Sequence, residues 1–191
     1  PHEIGYHSSS HSVRPTIFEY TDVESYEKAY LTSIKRETAH INPLTGEVKG
    51  EGGIKFLRSL FPNKSIVSFR APGFCWSPPH LEALKKLDIE FDFSAHISSR
   101  PVYYKGITFY PYPITIDGFI YYRRLSLMLN GGITVLDSHP SFFLNLKTWD
   151  YAYYRGNPHR LFEVPPRSRV ETASLFLDFE LLLKQIKLLE R

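Results

Sequence analysis

The chain has 191 residues, enough for one domain with a sizeable core, and its hydrophobic share of 42% and charged share of 23% are ordinary for a globular protein. A formal net charge of +3, without long runs of Lys or Arg, argues against a nucleic-acid-binding protein. Cys75 is the only cysteine, which excludes a disulfide framework within the chain, and no apolar run is long enough to cross a membrane.

A cluster of His and Ser residues opens the chain, with three serines between His7 and His11. Two histidines four residues apart on a helical turn face the same way, so both imidazoles could bind one metal ion. Zinc, or another divalent first-row metal, suits such ligands. A Ser-rich loop with two solvated histidines is the alternative, and these residues alone do not decide between the two.

The next segment alternates predicted helices with predicted strands. The capping-box pattern at Thr21–Glu24 predicts a helix that runs to about His40, with Val23, Tyr26, Tyr30 and Ile34 at helical spacing. A short helix is predicted around Ile54–Phe61, and its expected buried side consists of Leu57, Leu60 and Phe61. A strand over residues 65–70 follows.

A third helix is predicted from Pro78, because proline is tolerated in the first helical turn, and its apolar face is Leu81, Leu84 and Leu87. The strand Ile89–Phe93 follows, and another strand is expected near Ile107–Tyr110. Phe119–Asn130 is predicted as a helix that Gly131 and Gly132 end, before a strand over Ile133–Leu136. The last helix covers about residues 171–191, with an apolar stripe from Leu175 to Leu189.

Three polar residues stand out at or beside the predicted strands. Arg70 directly follows a strand, where a guanidinium can hold a carboxylate in bidentate geometry, although a surface Arg before a turn explains this segment alone as well. Asp92 lies in an otherwise apolar strand, either as a buried acid that needs partners or as a cap of the next turn. His139 ends a strand before Pro140, which suits an acid–base residue or a solvent-facing turn.

The alternation of strands and helices indicates an α/β fold with a parallel sheet and covering helices. The polar clusters fall just after strands, which is where α/β barrels carry their catalytic groups. A barrel therefore fits the pattern.

The order of these motifs resembles the polysaccharide deacetylase (NodB-homology, carbohydrate esterase family 4-like) family. His-Ser-x-x-His is followed by Arg-x-Pro after a strand, by an Asp in a strand and by Leu-x-x-His-Pro at a strand end. The stretches Pro1–His7 and Phe69–Phe74 are also similar to the family, and the resemblance covers about residues 1–145. Phe93 stands where many members of the family have Trp.

The resemblance implies a deformed (β/α) barrel, with residues 1–191 as a single catalytic domain whose first strand or strands lie upstream of Pro1. It implies a hydrolase that removes N-acetyl groups from an amino-sugar polysaccharide or oligosaccharide, with a divalent metal, most commonly Zn²⁺, on His7, His11 and an Asp. A second Asp acts as the base, and both aspartates are expected upstream. Arg70 orients that base, His139 protonates the leaving amine and Asp92 tunes His139.

The same resemblance points to a carbohydrate partner and to an extracytoplasmic or cell-envelope location. Two other functions stay open: a small-molecule amidohydrolase of the allantoinase-like branch, and a catalytically inactive carbohydrate-binding homologue. Candidate sugar-facing aromatic residues, each of which could instead be a packing residue, are Phe74, Trp76, Tyr103, Tyr104 and Trp149. Leu175–Glu180 superficially resembles the missing aspartate motif, but the helical stripe through it argues against that interpretation.

Overall fold

The computed structural model describes residues 3–8, 25–41, 47–74, 76–94, 100–111, 114–115, 135–146 and 164–189. The chain divides into two compact units, Pro1–Pro113 and Ile114–Arg191, and each is described by itself. The predicted capping box at residues 21–24 and the predicted helix Phe119–Asn130 lie outside the described residues. That the two units form one catalytic domain stays a prediction.

The first unit contains both helices and short strands, as the sequence predicts, although β1–β2 and β4–β6 follow one another without a helix between them. In chain order its elements are α1 (Tyr26–Thr38), β1 (Ala39–Ile41), β2 (Val48–Glu51), α2 (Gly53–Leu60), β3 (Ser68–Phe69), a 3₁₀ turn (Pro72–Phe74), α3 (Pro78–Lys86), β4 (Phe91–Asp92), β5 (Val102–Tyr104) and β6 (Ile107–Phe109).

A parallel sheet lies at the centre of this unit. Its strand order is β3-β4-β6-β5, with β3, β4 and β6 parallel and β5 antiparallel to β6. Tyr6 extends the sheet beyond β3: its N–H donates to the Ser68 carbonyl at 2.8 Å, and its carbonyl accepts from the Arg70 N–H at 3.0 Å. The strands predicted around residues 65–70, 89–93 and 107–110 are confirmed, although each is shorter than its apolar segment.

The apolar core of the unit lies between the sheet and the helices. Its buried residues are Tyr6, Ile54, Ile66, Phe69, Ala71, Leu81, Leu84, Ile89, Ile107 and Phe109, with Leu57 and Leu87 packed against them. The predicted buried face of α3 is therefore confirmed. Leu60 and Phe61 are 55% and 40% exposed, so their predicted burial is wrong, because α2 buries its first turn through Ile54 and its last turn extends past the core.

Helix α1 packs mainly on α3 and also on α2. Ser25 caps its N-terminus by accepting from the Lys28 N–H at 3.2 Å. Its buried positions are Ala29, Ser33 and Glu37, a stripe at intervals of four residues, whereas Tyr26 is 48% exposed. The predicted helix to about His40 is confirmed over Tyr26–Thr38.

The second unit contains β7 (Ile114–Thr115), β8 (Leu136–Asp137), α4 (Pro140–Leu144) and α5 (Arg169–Leu189), and β7 is parallel to β8. Helix α5 confirms the predicted C-terminal helix and includes Leu175–Glu180, which supports the helical interpretation of that segment. The ring of Phe143 stacks on Phe176 with centroids 4.7 Å apart.

Among the described residues, the strands form three small sheets of two, four and two strands. The closed barrel stays a prediction. Within the same part of the chain, no helix has the length and apolar character needed to span a membrane.

Candidate functional site

Three of the predicted site residues lie along one edge of the sheet in the first unit. Tyr6 pairs with Phe69, and Phe69 pairs with Asp92, so these residues form one row across the parallel strands. His7 comes directly after Tyr6 in the chain, and Arg70 comes directly after Phe69. Asp92 is the last residue of β4. In parallel sheets the carboxyl ends of the strands form the edge that carries ligands and catalytic groups.

His7 is half-buried, and its Nδ1 lies 2.7 Å from the backbone carbonyl oxygen of Arg70. A carbonyl only accepts, so Nδ1 carries the proton, and in the neutral ring Nε2 then carries the lone pair. Metal-binding histidines commonly donate their second ring nitrogen to a carbonyl in this way. The arrangement fits a metal ligand.

His11 lies outside the described residues. Ser8, the residue after His7, has a left-handed backbone with φ of 54°, so a regular right-handed helical turn does not begin at this point. The joint binding of one ion by His7 and His11 stays a prediction.

Arg70 is half-buried, and its guanidinium carbon lies 4.6 Å from the centroid of the Phe74 ring. This cation–π contact holds the Arg70 guanidinium beside Phe74, which belongs to the 3₁₀ turn. It also gives Phe74 a packing role beside Arg70. The predicted contact of Arg70 with a catalytic carboxylate stays a prediction.

Asp92 is fully buried, and Ser94 satisfies both of its oxygens. The Ser94 N–H donates to Oδ1 at 2.7 Å and the Ser94 hydroxyl donates to Oδ2 at 3.2 Å, while Ser94 Oγ accepts from the Ala71 N–H at 2.5 Å. Burial raises the pKa of Asp92 from 3.8 to about 6, against the opposing effects of the Ser94 hydrogen bonds and the charge of His80. A pKa of about 6 places the change in Asp92 protonation in the mildly acidic range.

A buried polar cluster that the sequence analysis missed lies beside His7, and we call it the Glu37 cluster. Glu37 and His80 are 3% and 4% exposed. Glu37 Oε2 accepts from the Tyr6 hydroxyl at 2.7 Å, and Oε1 accepts from the Ser8 hydroxyl at 3.2 Å. His80 Nε2 lies 3.0 Å from Oε1, and the His80 ring meets Phe69 edge-on. The cluster therefore links α1 and α3 to both residues that flank His7.

One signal for this cluster is present in the sequence. Ala29 and Ser33 are small residues four apart on α1, and small side chains mark a helix face that can approach a neighbour closely. Glu37 is the next position on that face. His80 gives a weaker signal, because it stands among apolar residues in the first turn of α3.

In the second unit, His139 follows the parallel strand β8 by two residues and is the N-cap residue of α4. Its carbonyl accepts from the Phe142 N–H at 2.9 Å, and its side chain is half-buried. Asp137, at the end of β8, is buried. The strand-end position of His139 is confirmed, and its catalytic role stays a prediction.

The candidate sugar-facing aromatic residues differ in exposure. Trp76 packs against the core, with its ring 5.1 Å from that of Phe109, which supports a packing role. Tyr103 and Tyr104 on β5 are 74% and 42% exposed. Trp149 lies outside the described residues.

The described residues contain no group of three or more His, Cys, Asp or Glu side chains that could hold a metal ion. His7 is thus the one predicted metal ligand whose geometry can be described. Comparison of the chain with protein-family models, with curated proteins and with solved structures finds no match.

Proposed function

We propose that this protein is a metal-dependent hydrolase that removes N-acetyl groups from an amino-sugar polysaccharide or oligosaccharide. The observation that carries the proposal is the hydrogen bond from His7 Nδ1 to the Arg70 carbonyl, at the sheet edge that also holds Asp92. The proposed reaction class, removal of an N-acetyl group, comes from the order of the sequence motifs, because this order resembles that of the polysaccharide deacetylases.

Each candidate residue has a role that suits its chemistry. His7 and His11 would hold a divalent ion, most suitably Zn²⁺, through neutral imidazoles. When bound, the ion would polarise the acetyl carbonyl and make a water molecule more acidic. Arg70 would orient the carboxylate that accepts the proton of that water, since a guanidinium binds a carboxylate in a fixed plane.

His139 would donate a proton to the amine that leaves as the acetyl group is hydrolysed. Histidine suits this step because its ordinary pKa lies near neutrality. Asp92 would tune His139 through its own charge, and its pKa of about 6 means that this charge is lost under mildly acidic conditions. The proposal therefore predicts falling activity below about pH 6.

The exposed tyrosines of β5 favour a saccharide over a small closed-pocket substrate. Tyr103 and Tyr104 offer aromatic faces at the surface, and sugar rings stack on such faces. The allantoinase-like alternative would be favoured by an enclosed pocket with fewer exposed aromatic residues.

The test is acetate release from N-acetylglucosamine oligomers by the purified protein, before and after removal of metal by a chelator. Activity should return with Zn²⁺, and His7→Ala should lower it by about 100-fold or more because a ligand is lost. His40→Ala is the matched control, since His40 is an exposed histidine on β1. Activity that survives both chelation and His7→Ala would refute the proposal, and turnover of a cyclic amide instead of the oligomers would favour the allantoinase-like alternative.

A further inference from the structure

We propose that Glu37 is a positioning residue that holds His7 in its metal-binding orientation through the residues on either side of it. This inference rests on the proposed function for the identity of the ligand, a divalent metal ion. Its physical basis is the Glu37 cluster, in which Glu37 and His80 lie outside the set of motif residues.

The side chains that donate hydrogen bonds to Glu37 lie on either side of His7 in the chain. Glu37 accepts from the hydroxyls of Tyr6 and Ser8, the residues immediately before and after His7. The Tyr6 bond is buried, so water cannot readily replace it, and the Ser8 bond is partly buried. One side chain on α1 therefore fixes both neighbours of the candidate ligand.

The same bonds bear on the direction of the His7 side chain. Tyr6 is paired with β3 through its backbone, which fixes the start of the segment that carries His7. Because the hydroxyls of Tyr6 and Ser8 are both held on Glu37, the His7 ring between them is kept at the Arg70 carbonyl. Ser8 also has φ of 54°, a conformation that a serine keeps only where its surroundings hold it.

Glu37 is itself held firmly. His80 Nε2 contacts its Oε1 from α3, so two helices meet at this carboxylate. On another side, the backbone of Gly53 approaches so closely that a Cβ atom there would overlap the Glu37 carbonyl oxygen and lie 2.8 Å from the Tyr6 hydroxyl. Gly53 also has φ of +56°, which favours glycine.

A purely structural role for the cluster predicts a different result from a positioning role. Loss of a structural contact lowers stability and leaves the geometry of His7 unchanged once the protein is folded. Loss of a positioning contact changes the tautomer and the metal affinity of His7 in folded protein. The test must therefore observe His7 directly.

The decisive variant is Tyr6→Phe, which removes one hydroxyl and keeps the ring that packs beside Phe69. Its matched control is Tyr26→Phe, because the Tyr26 hydroxyl donates to Glu82 at 2.8 Å at the exposed surface. Ser8→Ala removes the second flanking bond and provides an independent variant. All three changes delete only a hydroxyl.

The first measurement is nitrogen NMR of the histidine rings in metal-free protein at about pH 8, where an ordinary histidine is neutral. Wild type and Tyr26→Phe should show His7 protonated at Nδ1, and Tyr6→Phe should show a mixture of both tautomers. The second measurement is Zn²⁺ affinity by chelator competition. Tyr6→Phe and Ser8→Ala should each weaken binding by about 10–100-fold, the usual effect of removing an outer-shell partner, and Tyr26→Phe should not.

Tyr6→Phe and Ser8→Ala proteins that keep both the wild-type tautomer and the wild-type Zn²⁺ affinity would overturn the inference and leave the proposed function intact. Equal Zn²⁺ binding by wild type and His7→Ala would instead refute the proposed function, and the metal-positioning role of Glu37 with it. In that case the NMR result still shows whether Glu37 orients the His7 ring, so the two failures are distinct.

Discussion

The first unit contains a buried carboxylate on the α1 side of His7, Glu37, and another in the sheet, Asp92, and their surroundings differ. Glu37 contacts side chains from the N-terminal segment and from α3, so its partners are distant in sequence. Asp92 receives two hydrogen bonds from Ser94, only two residues away, within one turn of backbone.

The difference suggests that the two acids serve different purposes. A carboxylate that joins separate elements stabilises their arrangement, and its removal leaves several buried donors without an acceptor. A carboxylate with local partners and a raised pKa can gain or lose its proton without disturbing the packing of distant elements. Substitution of each acid in turn tests this difference.

The largest effect is expected for Glu37→Ala. The substitution removes the carboxylate that contacts the Tyr6 hydroxyl, the Ser8 hydroxyl and the His80 ring. Each buried polar group left unsatisfied costs about 1–3 kcal/mol. Urea denaturation followed by circular dichroism measures the loss. Glu82→Ala is the control at an exposed helix position and should cost less than about 1 kcal/mol. Equal losses for both variants would contradict the linking role of Glu37.

The next effect concerns Asp92→Asn and depends on pH. The pKa of Asp92 is about 6 in the folded protein against an ordinary value of 3.8, so the folded state binds the proton more tightly. Its contribution to stability is therefore present below about pH 4 and declines as pH rises to about 6, by about 3 kcal/mol in total.

Asparagine cannot ionise, so Asp92→Asn should gain stability relative to wild type as pH rises. The measurement is the difference in unfolding free energy between variant and wild type at about pH 4 and about pH 8. Asp88→Asn is the control for the removal of an exposed charge. A difference that does not change with pH would show that Asp92 does not titrate in this range.

A smaller effect is expected for Ser94→Ala, at about 1–2 kcal/mol, because the Ala71 N–H loses its acceptor. The Ser94 hydroxyl also lowers the pKa of Asp92, so its loss should move that pKa above about 6 and shift the pH dependence upward. Ser59→Ala is the control, since its exposed hydroxyl donates to the Phe56 carbonyl. A shift to lower pH would contradict this account of Asp92.

Local sequence patterns predict those helices whose own residues mark their ends and their apolar side. Two prolines and three leucines predict helix α3, and an apolar stripe predicts α5. Of that stripe Leu182 is buried, whereas Phe176 and Leu183 are 49% and 47% exposed. The strand β5 was not predicted, although the turn at Lys105 and Gly106, both with positive φ, joins it to β6. Short edge strands depend on a partner strand, which a local pattern does not identify.

The candidate site was predictable only in part, for a similar reason. Arg70 comes directly after an apolar strand and Asp92 is the last residue of another, so the local sequence predicts their position at the sheet edge. Glu37 was missed, because a glutamate in the last turn of a helix is ordinarily exposed and the small residues Ala29 and Ser33 give only an indirect signal of a packed face. Its burial depends on Tyr6 and His80, which come from segments 31 and 43 residues away in the chain.

The most direct test of the account is the zinc content of wild-type, His7→Ala and His139→Ala proteins after equilibration with Zn²⁺ and removal of unbound ion. We predict that His139→Ala holds as much zinc as wild type while its turnover falls by about 10²–10⁴-fold, because only the proton donor is lost. His7→Ala should hold little zinc. The account would be contradicted if His7→Ala retained the wild-type zinc content.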